Sequence, residues 1–493
     1  MLPVSGYAMV FSGALSFVKD SYNNFYGHTI KPLVDDGWLV NTFNFYALGA
    51  FPAVKRAMQI KNADKNAYPD LCRFSIGPRI NIVVLNSPEF RKQLAAPNRY
   101  SEKMRGGDEF NFLNDEIGCK GNAFTEENEE TKREYKRLGN NHHFGITALK
   151  DKVPQMISIF ENLENYRAGN TGHLDFSRLA RKLSLELVQR IILERDELIE
   201  GLEDAVDIKQ KAMTDKILWS PESWLPGFIP TENNKLYNEG SAAFNNAVQE
   251  LMDNPSGLTE ILHENFSEEE EEEVRGYLMM VLFIGSTTMK SAIESLIHFL
   301  IDNQEYQERI RDEIANIDQT DDLYKALKDS PLFNAVIEET LRIKPPVIGQ
   351  TRVLKQGMYF GEHYVEAGTT VYGAKYWGNR NRRHWDQPTK WLPDRWLKTV
   401  NGKEVFRRDL PKTLSFGYGN TICLAHQYAP LALKTFLYTA IKNWQFKNPI
   451  SVYGTEFVQI LRSQGGLTHE YNQPVLGGLE KIKADVPRNG SVS

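Results

Sequence analysis

The chain has 493 residues, 41% of them hydrophobic, and a formal net charge of −6. That is enough apolar matter for a sizeable core, and it leaves no basic face of the kind nucleic-acid binding needs. Only three cysteines occur, at Cys72, Cys119 and Cys423, a count that excludes a disulfide framework, and no CxxC pair or closely spaced cysteine–histidine set suggests zinc.

Residues 1–18 carry no charge and are mostly apolar, but Pro3, Gly6, Gly13 and three serines interrupt them. They lack the basic stretch of a cleaved signal and are marginal in length for a span, so membrane contact or anchoring is the reading weighed for them. Phe51 to Lys61 has helical periodicity. Leu71–Ile76 and Ile80–Leu85 read as two strands joined at Gly77-Pro78, and Ser87-Pro88-Glu89 starts a helix. Tyr100 to Thr131 is a polar, glycine-dotted loop carrying Phe110 and Phe112, and a helix follows over about Glu129 to Phe144.

The acidic run from Glu268 to Glu273 sits where Ser267 caps a helix, its glutamates favouring the positive dipole end. A long apolar helix is expected from Val274 to Leu300, an amphipathic one from Asp302 to Ile317, and another from Leu323 to Lys344. Strands follow, among them Gln350-Thr351-Arg352-Val353. The last segment, Val452 to Ile482, is loop-rich. No Pro/Gly/Ser-rich linker divides the chain, so the expected division is an N-terminal segment, residues 1–54, and one domain over 55–493.

Phe416-Gly417-Tyr418-Gly419-Asn420-Thr421-Ile422-Cys423-Leu424-Ala425 puts one cysteine in a glycine-loosened loop directly ahead of the helical run Ala429 to Phe436. Glycines let the backbone approach a large flat ligand, and the helix N-terminus favours an ionised thiol. A thiolate there can ligate a metal; the plain alternative is a buried structural thiol. Glu339-Thr340-Leu341-Arg342 ends at Pro345-Pro346, its acid and base three apart on one helical face, and the plain alternative is a solvated salt bridge. Trp391-Leu392-Pro393-Asp394-Arg395-Trp396 and Phe283-Ile284-Gly285-Ser286-Thr287-Thr288 complete the set.

In that order and spacing, over about 140 residues, these four segments resemble the cysteine loop, ExxR helix, aromatic-Pro-Arg segment and oxygen groove of the cytochrome P450 (haem-thiolate) superfamily. The resemblance extends from about residue 55 to residue 470. It implies a mainly α fold with a smaller β-rich part, in which a long central helix lies over a haem held by Cys423. It further implies that Phe416, Gly417 and Gly419 shape the haem-binding loop, that Glu339, Arg342 and Arg395 form a network bracing it, and that Arg137 and Arg352 meet the propionates. Gly285, Thr287 and Thr288 would line the oxygen site. Phe110 and Phe112 would line the roof of the substrate pocket.

Three departures stand out against the family pattern. Thr421 replaces the propionate-binding arginine two residues before the cysteine, Ala425 replaces a glycine, and Thr287 replaces the acid that relays protons. No tryptophan occurs between Trp38 and Trp219, and Arg133 falls where the family carries one ahead of Arg137. The implied activity is monooxygenation of a lipophilic small molecule with electrons from NADPH through NADPH-cytochrome P450 reductase, at the cytoplasmic face of the endoplasmic reticulum membrane or else in the cytoplasm. Two alternatives accompany it: a haem-thiolate isomerase or dehydratase acting on a hydroperoxide, to which the missing acid costs nothing, and a decayed haem- or lipophile-binding member. Nucleic acid is not expected as a partner.

Overall fold

A computed structural model describes residues 68–76, 80–95, 104–106, 134, 137–161, 163, 174–217, 231–267, 270–411, 413–417, 422–447, 463–465, 469–471 and 475–482. The expectations for residues 1–18, for Phe51 to Lys61, for the loop aromatics Phe110 and Phe112 and for Cys119, Gly419 and Thr421 lie outside the described residues.

The centre of the fold is a helix running from Glu271 to Asp302, 32 residues long. Its apolar residues recur around most of its circumference, which is what a helix covered on all sides requires. Val274, Leu278, Leu282, Ile293, Leu296 and Leu300 are all buried. Among the described residues it is the one helix long and apolar enough to cross a membrane, yet its apolar window is 78% buried inside the protein. At Val281–Gly285 the helix widens into a π turn before resuming at Ser286. Ser267 does not cap it in the ordinary sense: its amide and hydroxyl both donate to the Glu270 carboxylate, so the glutamate caps the serine.

Around this helix lie Phe176–Glu186, Pro331–Ile343 and Tyr428–Asn443. Ring contacts lock the layers: Phe299 of the central helix stacks on Trp391 at 5.4 Å, and Phe160 meets Phe436 edge-on at 5.4 Å, in the geometries aromatic quadrupoles prefer. The expected single helix over Leu323–Lys344 is two, Leu323–Asp329 and Pro331–Ile343. Pro331 has no amide hydrogen to donate backwards, and the Ser330 hydroxyl restarts the helix by accepting from the Phe333 amide at 3.2 Å. The expected helix from Asp302 begins at Gln304, because Asn303 leaves the helical region with φ −132° and ψ 72°.

The strands at Leu71–Ile76 and Ile80–Leu85 form the expected antiparallel hairpin, in register from Leu71 opposite Leu85 to Ile76 opposite Ile80. Its second strand runs parallel to Thr370–Ala374, which pairs antiparallel with Gly349–Leu354; Met104–Gly106 closes the far edge. Leu85, Leu94, Leu354, Phe360 and Val371 pack into a small core of their own on this sheet. Cys72 is buried in the first strand, where burial pushes its thiol up to about 12, so its role is packing. A smaller sheet joins Trp444–Lys447, Leu476–Lys481 and Leu174–Asp175.

Candidate functional site

Cys423 ends a loop that folds back on itself: its amide donates to the Phe416 carbonyl at 2.7 Å. Gly417 makes the turn with φ +78°, a conformation L side chains avoid. The Cys423 thiol is exposed, not buried in packing as the plain structural alternative requires. Directly after it, Leu424–His426 form a short 3-10 turn leading into the helix Tyr428–Asn443, and the His426 ring bonds the Cys423 carbonyl at 2.9 Å.

The loop hangs from the helix Pro331–Ile343. Thr413 Oγ1 donates to Glu338 at 2.7 Å and Ser415 Oγ reaches the Leu341 carbonyl at 3.5 Å. Between these anchors the helix turns Glu339 and Arg342 inward, and both side chains are wholly buried. They are therefore no solvated surface pair. Arg342 meets Glu339 with Nε and Nη2, each at 2.8 Å, in a two-pronged contact. Glu339 also accepts from Arg395 Nε at 3.0 Å, Trp396 Nε1 at 2.9 Å and the Leu392 amide at 2.8 Å. Burial alone would raise the Glu339 carboxyl, but the Arg342 hydrogen bonds, with the Arg342 and Arg395 charges, hold it below the ordinary value. Arg342 Nη1 donates to the carbonyls of Asn379 at 2.6 Å and Pro388 at 2.8 Å, and Nη2 donates also to that of Lys390 at 3.1 Å. The three expected residues thus meet at one carboxylate, and their neighbours Glu338 and Leu341 hold the cysteine loop.

Among the described residues, the middle of the central helix has a gap in its cover. Ile284, Gly285 and Thr288, which share a face, are half-exposed, while Ser286 and Thr287 are buried. A Cβ built on Gly285 meets Val188 at 3.5 Å and nothing else, so that turn has room beside it. Residues Leu187 and Val188 link the two halves of the site: Val188 lies against Gly285, and the Leu187 carbonyl accepts from Tyr428 Oη at 3.4 Å. Both threonine hydroxyls donate back to the Ile284 carbonyl, Thr288 at 2.9 Å and Thr287 at 3.4 Å. This is the local back-bonding such residues adopt in helices, and of the two side chains only Thr288 reaches the gap.

Of the two expected propionate partners, Arg352 stands half-exposed on the strand Gly349–Leu354. Arg137 is exposed and binds Glu134. It lies on the same turn as Gly139, where an added Cβ would approach Leu424 to 2.8 Å, so this turn abuts the residue after Cys423. The sequence reading missed Arg91, Asn379 and Lys375. Arg91 is buried and bonds Asn379 Oδ1 at 2.8 Å and the Thr413 carbonyl at 3.5 Å. Lys375 is buried and donates to the Ser415 carbonyl at 3.3 Å. The available signals were a basic residue on the apolar face shared with Leu94 and a lysine interrupting the run Val371–Trp377.

An exposed thiol in a preformed loop, an apolar helix turn with space beside it, and cations around the loop form a donor set that fits a flat, mostly apolar macrocycle with an acidic edge and a metal that accepts thiolate. A separate open groove of about 660 Å³, lined by Lys152, Glu186, Arg190 and Glu194 among others, contains none of the residues expected from the sequence.

The family profile described as Cytochrome P450 matches residues 41–454. A 249-residue stretch is 27% identical to the cytochrome P450 monooxygenase cpaH of Aspergillus oryzae, covering 48% of either chain. Another, of 193 residues, is 27% identical to the mitochondrial cholesterol side-chain cleavage enzyme of Hypanus americanus, covering 38% of this chain and 36% of that one. The alignments thus span half or less of these relatives' length. Among solved structures, retinoic acid bound cyanobacterial CYP120A1 superposes with a TM-score of 0.68 at 16% identity, over 90% of this chain and 96% of that chain, which is a likeness of fold.

Proposed function

This chain belongs to the cytochrome P450 family, and from that premise we propose that it is a haem-thiolate monooxygenase in which Cys423 is the proximal ligand. The observation that carries the reading is the exposed Cys423 thiol at the end of a loop whose amide-to-Phe416 closure and anchors to Glu338 and Leu341 fix it in place. When bound, the haem supplies oxygen activation, with the thiolate donating electron density to the iron.

The protein's residues would do the rest. Phe416, Gly417 and Gly419 would shape the loop that holds the macrocycle, and Arg137 and Arg352 would offer charge-assisted hydrogen bonds to its carboxylates. Gly285 would leave room for oxygen, and the Thr288 hydroxyl, oriented by the Ile284 carbonyl, would order a water. Thr287 supports that turn from within. Membership of the family implies a lipophilic small molecule as substrate.

In this reading electrons come from NADPH through a separate reductase, and residues 55–493 form the haem-binding domain. Residues 1–18 would contact the membrane of the endoplasmic reticulum at its cytoplasmic face. The word mitochondrial in the names of several relatives favours that organelle as the second location.

The test is reconstitution with hemin, reduction and exposure to carbon monoxide. The wild type should give the thiolate-type spectrum and Cys423→Ala should lose it; a variant that keeps it refutes the assignment. Oxygen consumption that depends on reductase and a lipophilic substrate completes the case for a monooxygenase. The absence of an acid at Thr287 favours one rival, an isomerase or dehydratase of hydroperoxides, and turnover of a hydroperoxide without reductase or oxygen would select it.

A further inference from the structure

Lys375 follows the strand Thr370–Ala374 and is only 6% exposed. Its ammonium has three hydrogens to donate, yet its hydrogen bond is a long one, 3.3 Å to the Ser415 carbonyl. Among the described residues no carboxylate pairs with it. The charged groups that act on it are the Cys423 sulfur, which favours the ammonium, and Arg91 and Arg352, which oppose it. Arg91 is committed elsewhere, to Asn379 and Thr413. Lys375 and Arg91 therefore both bond main-chain oxygens of the segment leading into the cysteine loop, Arg352 lies near enough to oppose the ammonium, and among the described residues the group of opposite sign acting on Lys375 is the sulfur. Burying an ammonium without a counter-ion is costly. Such an arrangement is stable when a bound anion completes it.

Thr421 stands where the family resemblance implies a propionate-binding arginine. We propose that Lys375, with Arg352 beside it, is the seat of a haem propionate and takes over the part of the cation that the cysteine loop lacks. This rests on the haem-thiolate reading and adds to it a residue of this chain that the four sequence motifs do not contain. The charge-assisted hydrogen bond to a carboxylate is of the stronger class, so its loss should be visible in how long haem stays bound.

The experiment compares hemin with hemin dimethyl ester, whose carboxylates are blocked, in the full chain reconstituted from apoprotein. Release is followed by transfer to apomyoglobin, and apoprotein stability by urea unfolding. Wild type should release the ester more than about tenfold faster than hemin, since Lys375, Arg352 and Arg137 all act on the carboxylates and one such bond is worth about tenfold. In Lys375→Met that ratio should shrink by about tenfold, the ester rate should be unchanged, and the apoprotein should be at least as stable as wild type, since a buried charge is gone. Lys375→Arg should keep most of the discrimination.

If Lys375→Met still holds hemin over the ester as strongly as wild type does, the proposal is overturned and Lys375 serves the sulfur or the fold. If both ligands are lost equally together with apoprotein stability, it is likewise overturned. A wild type that takes up no hemin at all refutes the haem-thiolate reading itself.

Discussion

Glu339→Gln is the perturbation whose size follows most directly from geometry. Oε1 of Glu339 accepts from Arg342 Nη2, Arg395 Nε and the Leu392 amide, and Oε2 accepts from Arg342 Nε and Trp396 Nε1. A glutamine must turn its NH₂ toward one of these sets, so it loses at least two hydrogen bonds by placing donor against donor, and it leaves the buried Arg342 guanidinium without its counter-charge. Removing one partner of a buried pair costs about 3–5 kcal/mol, against a typical total of about 5–15 kcal/mol.

The urea midpoint of the purified protein should fall accordingly, with the slope unchanged. Replacing both partners by apolar residues often rescues such sites, but here it should not. Arg342 also serves the carbonyls of Asn379, Pro388 and Lys390, each costing about 1–3 kcal/mol if left unpaired. A Glu339→Gln protein within about 1 kcal/mol of wild type, or a Glu339→Met/Arg342→Met protein more stable than wild type, would refute the reasoning.

Gly378→Ala would bring a Cβ to 2.7 Å from the Asn86 carbonyl and 3.0 Å from Arg91 Cζ; the backbone oxygen cannot yield, so stability should drop by about 1–3 kcal/mol. An unchanged thermal midpoint would show that the contact is not tight. His143 is buried with neither ring nitrogen hydrogen-bonded among the described residues, Nδ1 lying 3.8 Å from Glu194 Oε1, and burial first, then the Lys152 charge, push it down to about 4 against a pull from Glu194. Between about pH 6.5 and 4 the unfolded chain then binds the extra proton, so stability present at neutral pH is lost as pH falls through that window, by up to about 3 kcal/mol. His143→Phe should flatten that part of the profile, and urea midpoints at pH 7 and 5 that fall equally in both proteins would contradict it.

What the sequence made legible was local. The hairpin at Leu71–Leu85 could be read because alternation and the Gly-Pro turn are contained in fifteen residues, and the ExxR pair because its members lie three apart. The break at Ser330-Pro331 went unread since apolar periodicity runs straight through it, although the serine-proline cap was there to see. Arg91, Asn379 and Lys375 escaped because their partners are main-chain oxygens and side chains far along the chain, and a single basic letter says nothing of being buried. The Thr287–Thr288 pair was half legible: the residue types predicted back-bonding, but which hydroxyl faces the gap depends on where the π turn at Val281–Gly285 shifts the helical phase.

The central helix owes part of its burial to segments made late. Phe299 needs Trp391, and the helix is flanked by Tyr428–Asn443 and Trp444–Lys447. A ribosome that has released Asp302 but not yet those residues holds a greasy rod the length of a bilayer. Shortened forms of this protein ending before the cysteine loop would accordingly associate with lipid or with chaperones, and their appearance in a membrane fraction would report on truncation instead of on any native anchor.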